Sequence, residues 1–130
     1  MRQSILTEPI ELKVPAKKES MLVIRLTAAG VIARAGLTVD RLDDVKMAVE
    51  EACACLIEAE TPPKSLHIAF QREEDGLRIV IRGDCAGRVF DPDEMQVVRC
   101  ILESLTDGVD MREENGSLAS IELRVQSWNA

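Results

Sequence analysis

The chain lacks any excess of basic residues: 16 Lys and Arg stand against 23 Asp and Glu over 130 residues, a formal net charge of −7. That balance argues against nucleic-acid binding, which needs a basic face to neutralise phosphates. No apolar run approaches the roughly 20 residues that span a bilayer, so no membrane association is expected. The opening MRQSILTEPIELKV is not a signal peptide, because Glu8 and Glu11 interrupt its apolar residues, and a cytoplasmic location is the expectation. There is also no C-x-x-C pair among Cys53, Cys55, Cys85 and Cys100, and His67 is the single histidine. Structural zinc sites show closely paired ligands, so the cysteines read as reduced, small core residues; a four-thiolate metal site or a redox switch is the alternative. Repeats, low-complexity tracts and a linker long enough to split the chain are missing too. What remains is 46% apolar and 30% charged, the composition of one globular domain over residues 1–130.

The apolar spacing gives a short menu of elements. Ile5 to Val14 is extended, with Ile10, Leu12 and Val14 alternating against Glu11 and Lys13, and Pro15 ends it. Lys17 to Ala35 predicts a helix with Met21, Ile24, Ala28, Val31, Ile32 and Ala35 on one stripe and Gly36 as its left-handed stop. Leu22, Leu26 and Ala29 widen that stripe, which predicts packing on more than one side. A second helix is expected from Val39 to Glu60, capped by Thr38 or Asp40, with Leu42, Val45, Val49, Ala52, Cys53 and Leu56 facing the core and Pro62-Pro63 beyond its end. Strands Leu66 to Gln71 and Leu77 to Arg82 flank the turn Glu73-Glu74-Asp75-Gly76, and a helix over Asp93 to Thr106 follows an irregular stretch. Val109 to Arg112 and Leu118 to Val125 close the chain around Asn115-Gly116. The order β-α-α-β-β-α-β-β predicts an α+β two-layer sandwich, a mostly antiparallel sheet with the helices on one face.

This order, together with ELKVPAKKES, VIRLTAAGVIARAGL, DRLDDVKMAVEEACACL and ILESLTDGVDM, resembles the anti-sigma factor serine kinases, small bacterial members of the GHKL (Bergerat-fold) ATPases. The resemblance covers nearly the whole chain. It implies a nucleotide site between sheet and helices and a second-helix motif E-A-C-x-N, occupied here by Glu51-Ala52-Cys53-Ala54-Cys55. By that resemblance Glu51 stands at the position of the general base, and Asp84 at that of the adenine-binding Asp. Cys55 replaces the Asn that helps hold Mg²⁺, a soft thiol where a hard cation wants oxygen. Asp84-Cys85-Ala86-Gly87 stands at the first glycine box, with a side chain on Ala86 where the motif asks for Gly and Gly87 next to it as the candidate cofactor-binding glycine. Gln96 and Val98 stand where a second G-x-G is expected, and few residues are left for a nucleotide lid. The losses point to a degenerate site with no resident cofactor, or with ATP and Mg²⁺ if the kinase activity survives. Structural roles stand beside each assignment: Glu51 as one of several solvated helix carboxylates, Asp84 as a loop cap, Met47 and Met95 as core filler.

The resemblance also implies partners: a sigma factor and an anti-anti-sigma protein, met by the first helix, where Arg25 matches a family contact arginine or else simply lies along the helix in solvent. A homodimer is implied as well, with Glu8 to Val14 pairing with its two-fold mate. Three functions therefore stand as expectations: a binding-only anti-sigma-like regulator with an eroded nucleotide site, an active Mg-ATP-dependent protein-serine kinase, and a thiol or small-molecule sensor built on Cys55, Cys85 and Cys100 around the eroded pocket.

Overall fold

The computed structural model describes residues 8–58, 62–84, 91–114 and 116–126. Strand β1 (Ile10–Pro15) leads through a 3-10 turn at Lys18–Ser20 into helix α1 (Met21–Ala33), followed by α2 (Val39–Ile57). The hairpin β2 (Ser65–Glu73) and β3 (Gly76–Gly83), helix α3 (Pro92–Leu105) and the hairpin β4 (Gly108–Glu114) and β5 (Ser117–Gln126) complete it. All neighbouring strands run antiparallel, in the spatial order β1-β2-β3-β5-β4. The architecture is the α+β sandwich that the element order predicts. No described helix is long and apolar enough to cross a membrane.

Local chemistry sets the element ends. Thr38 caps α2, its hydroxyl accepting from the Arg41 amide at 3.3 Å, and the Asp91 carboxylate accepts from the Glu94 amide at 2.8 Å to start α3. Gly36, at φ +81°, turns the chain after α1 in the left-handed region that L side chains avoid. The first helix begins later than its spacing implies, because residues 18–20 take the tighter 3-10 form while the Ser20 hydroxyl donates to the Pro15 carbonyl at 2.6 Å. Arg41, in the first turn of α2, pairs with Asp107, which also accepts from the Gln126 amide at 2.7 Å, so the start of α2 is tied to the β4–β5 hairpin. Residues 5–7 and 59–60 of the expected elements lie outside the described residues.

The core lies between helices and sheet. Leu66, Ile68 and Phe70 of β2, Leu77, Ile79 and Ile81 of β3, and Ile121, Leu123 and Val125 of β5 face Val45, Val49, Ala52, Cys53 and Leu56 of α2. Ile24, Ala28 and Ile32 bury the inner stripe of α1. Two expectations fail here. Leu22 and Leu26 remain 59% and 65% exposed, so α1 packs on one side only and its other apolar side has no cover from the described chain. Cys100 is exposed rather than in the core, because the buried side of α3 is fixed by Leu102, with Val98 and Leu105 beside it, and position 100 points away from that stripe. Met47 is likewise 56% exposed.

Candidate functional site

Helix α2 is the element from which the site is built. Its residues 51 and 55 lie one turn apart, and Glu51 and Cys55 line one cavity of about 460 Å³ between α2 and α3, with Ala54, Glu58, Asp93, Glu94, Val97 and Val98. The joint projection expected from the helix repeat is therefore present. Four of those eight lining residues carry carboxylates and none is basic. Coulomb repulsion in a cavity of that kind disfavours a triphosphate. Among the described residues no group of three His, Cys, Asp or Glu side chains is arranged to hold a metal ion.

The start of α3 alters the phosphate side. Because α3 begins at Pro92, Gln96 and Val98 sit in its second turn, where their backbone N–H groups belong to the helix ladder rather than to an open glycine loop. By the resemblance Cys55 would stand at the metal-holding position; among the described residues it is a buried thiol, a poor donor for Mg²⁺, and the Gln96 and Val98 amides lie within the helix. Gly87, the candidate glycine beside Ala86, and Cys85 lie outside the described residues.

Asp84 and Glu51 are not brought together. Along β3 the side chains alternate, with Ile79 and Ile81 toward the helices and Val80 and Arg82 toward the open side. Asp84 follows the second set and lines a groove on the open face with Lys13, His67 and Arg82. Its Oδ1 accepts from the backbone amides of Lys64 at 2.9 Å and Ser65 at 3.2 Å, the geometry of a cap on the entry to β2. Nor do the two described thiols of the expected trio meet: Cys55 is buried on the α2–α3 cavity, whereas Cys100 is exposed and its Sγ accepts from the Gln96 side-chain amide at 3.6 Å. Burial, with the negative charge of Glu50, pushes the Cys53 thiol up to about 12.

A second concavity, of about 630 Å³, runs between α1 and α2. Met21, Leu22, Met47, Ala54 and Ile57 supply its apolar surface, and Glu51 lies on this wall too. Arg25 is not a free solvated arginine: its Nε meets Glu50 Oε2 at 3.1 Å, an ion pair joining α1 to α2 at the rim of this groove. Sequence reasoning missed the groove as a feature. Its signal was the low apolar asymmetry of α1, whose Leu22, Val23 and Leu26 lie off the buried stripe.

Comparisons with known proteins agree with this architecture. Residues 14–100 match the family described as "Histidine kinase-like ATPase domain". The serine-protein kinase RsbW of Halalkalibacterium halodurans is 30% identical over 129 residues, covering 84% of this chain and 78% of that protein. The Bacillus subtilis protein of the same name is 39% identical over 90 residues, 67% of this chain and 55% of its own length, and that of Bacillus cereus (strain AH187) is 40% identical over 76 residues, 57% and 48%. The chain thus spans about half the length of the last two. A crystal structure of RsbU and RsbW domains from Mycobacterium tuberculosis superposes with a TM-score of 0.71 at 14% identity, covering 92% of this chain and 32% of that one, a likeness of fold. With the family match over most of its length, the E-A-C-x-C turn on α2 and the antiparallel sandwich beneath it, the chain belongs to the histidine kinase-like ATPases and, among them, to the anti-sigma factor serine kinase family.

Proposed function

We propose that this protein is a binding-only regulator: a cytoplasmic homodimer that holds a sigma factor and releases it to a competing anti-anti-sigma protein, without nucleotide chemistry. The observation that carries this reading is the uncovered side of α1. Leu22, Val23 and Leu26 are 59%, 47% and 65% exposed on a helix whose opposite stripe is buried, beside the Arg25–Glu50 pair. Covering such side chains contributes roughly 1.5–3 kcal/mol each, enough for three of them to anchor a protein interface. The relatives named RsbW are serine-protein kinases, which supplies the family setting for such a partner. Homodimer formation would use the outer edge of β1, whose other edge pairs with β2.

The acidic α2–α3 cavity supports the binding-only reading over the kinase. The kinase remains a second reading because Glu51, half-buried on the cavity wall, keeps the position of the base. Binding is tested with the purified chain and the sigma factors of its host. Capture of one of them, lost in Leu26→Glu while the melting temperature holds, is the expected result; recovery of unrelated metabolic enzymes alone, insensitive to Leu26→Glu, contradicts it. For the kinase reading, Glu51→Ala must abolish serine phosphorylation of the anti-anti-sigma protein and Cys55→Asn must leave it nearly unchanged.

A further inference from the structure

The helices cover one face of the sheet; the other face carries a charge pattern that the proposed function does not use. Cross-strand pairing aligns Lys13 with His67, His67 with Arg82, Arg82 with Ser120 and Ser120 with Arg112. These five residues form one row across all five strands, with the cations Lys13, Arg82 and Arg112 on the first, third and fifth positions of the sheet. At roughly 4.8 Å between neighbouring strands, each of these cations stands about 10 Å from the next. All five line a groove of about 560 Å³, to which Ser65 adds a second hydroxyl.

The neighbouring row holds carboxylates, and these are already engaged. Glu11 Oε1 lies 2.8 Å from His67 Nε2, while Asp110 Oδ2 and Glu122 Oε2 lie 2.8 and 3.1 Å from Arg124 Nη1. The Arg124 guanidinium, by hydrogen bond and by charge, holds the Asp110 carboxyl below the ordinary carboxylate range. Asp84 turns Oδ1 onto two backbone amides. Lys13, Arg82 and Arg112, by contrast, make no ion pair among the described residues. Asp84 and Glu114 line the same groove and Arg112 also acts on Asp110 by charge, so Lys13, Arg82 and Arg112 exceed the groove's carboxylates by one, a local cationic excess on a chain of net charge −7.

We propose that this groove is a binding site for a small multivalent oxyanion, a phosphate- or carboxylate-bearing metabolite centred on Arg82, with Lys13 and Arg112 reaching from the two edges and the Ser65 and Ser120 hydroxyls donating beneath it. The guanidinium fork supplies two parallel N–H donors to one oxyanion group, and the flanking cations reward a second and third negative charge on the same ligand. The groove's volume suits a metabolite. Glu114 on its rim and the chain's overall negative charge disfavour a long polyanion such as nucleic acid. The site lies across the sheet from Glu51 and shares only Lys13, on the β1 strand of the proposed dimer edge, with the binding-only reading.

Isothermal titration of the full chain with inorganic tripolyphosphate and with citrate, at low ionic strength, tests it. At least one is expected to bind with a dissociation constant of about 0.1 mM or better, weakening as salt is raised. Arg82→Gln is expected to weaken it about tenfold or more, whereas Arg72→Gln, outside the groove, leaves it unchanged. A preference for tripolyphosphate identifies a phosphate ligand, a preference for citrate a polycarboxylate. Backbone amide shifts on titration should cluster at residues 65–67, 82–84 and 120. Absence of binding by both probes up to about 1 mM, or binding indifferent to Arg82→Gln, overturns the proposal.

Discussion

Cys53 and Cys100 show how far one residue type diverges within this fold. Cys53 is fully buried in α2 and its thiol sits at about 12, whereas Cys100 is exposed on α3. Labelling of the native protein with a thiol reagent, mapped by mass spectrometry, should modify Cys100 rapidly and spare Cys53 until unfolding; prompt native labelling of Cys53 would contradict its placement. The same burial makes stability depend on alkaline pH. A thiol whose folded value is raised from 9.0 to about 12 favours the neutral form, so its contribution is complete below pH 9.0 and is lost as pH rises toward 12. Between about pH 8 and about pH 10, chemical denaturation should show a loss of roughly 1 kcal/mol that Cys53→Ala does not show. The burial of Cys53 was readable from the α2 stripe. The exposure of Cys100 was not, because a free cysteine is apolar enough for the core yet small enough to stand outside it.

At the scale of elements, glycines separate two kinds of constraint. An added Cβ at Gly76 would stand 2.0 Å from the Val125 carbonyl oxygen, so β3 and β5 leave no room for one. Gly76→Ala should cost about 3 kcal/mol or prevent folding. Gly30 has nothing within 4 Å of an added Cβ and lies inside α1, so Gly30→Ala should stabilise the chain by about 0.5–1 kcal/mol. Thr38→Ala, which removes the α2 cap, should cost about 1 kcal/mol, a fall of a few degrees in melting temperature. Thermal melts of the three variants check all of this, and equal effects at Gly76 and Gly30 would refute it. Element order, the hairpin at Glu74-Asp75 and the buried stripes were legible because each follows from local periodicity and turn chemistry. Less legible was which face Asp84 joins, since a strand running on through Gly83 assigns it by parity, and one residue of register reverses the face.

On the scale of the whole molecule, what the sequence hides is long-range. The apolar width of α1 announced burial on two sides but not that the described chain covers only one; a partner-facing leucine and a core leucine have the same spacing. The cationic row exists only through cross-strand register, which places Lys13 and Arg112 in line though 99 positions separate their numbers. Among the described residues the concavities differ in character: a groove of mixed apolar and charged lining between α1 and α2, an acidic cavity between α2 and α3, and a groove with a cationic row on the open sheet. The central proposal concerns the second, whose four carboxylates around the buried Cys55 thiol we read as a nucleotide site that has lost its ligand. Calorimetric titration with Mg-ATP tests it most directly, run on the wild type and on Arg82→Gln so that any heat from the sheet groove is reduced. The account predicts that Arg82→Gln shows only weak, salt-sensitive and Mg²⁺-independent heat near about 1 mM, a free energy near roughly −4 kcal/mol. Micromolar, Mg²⁺-dependent binding that survives Arg82→Gln would contradict it and return the chain to the working kinases.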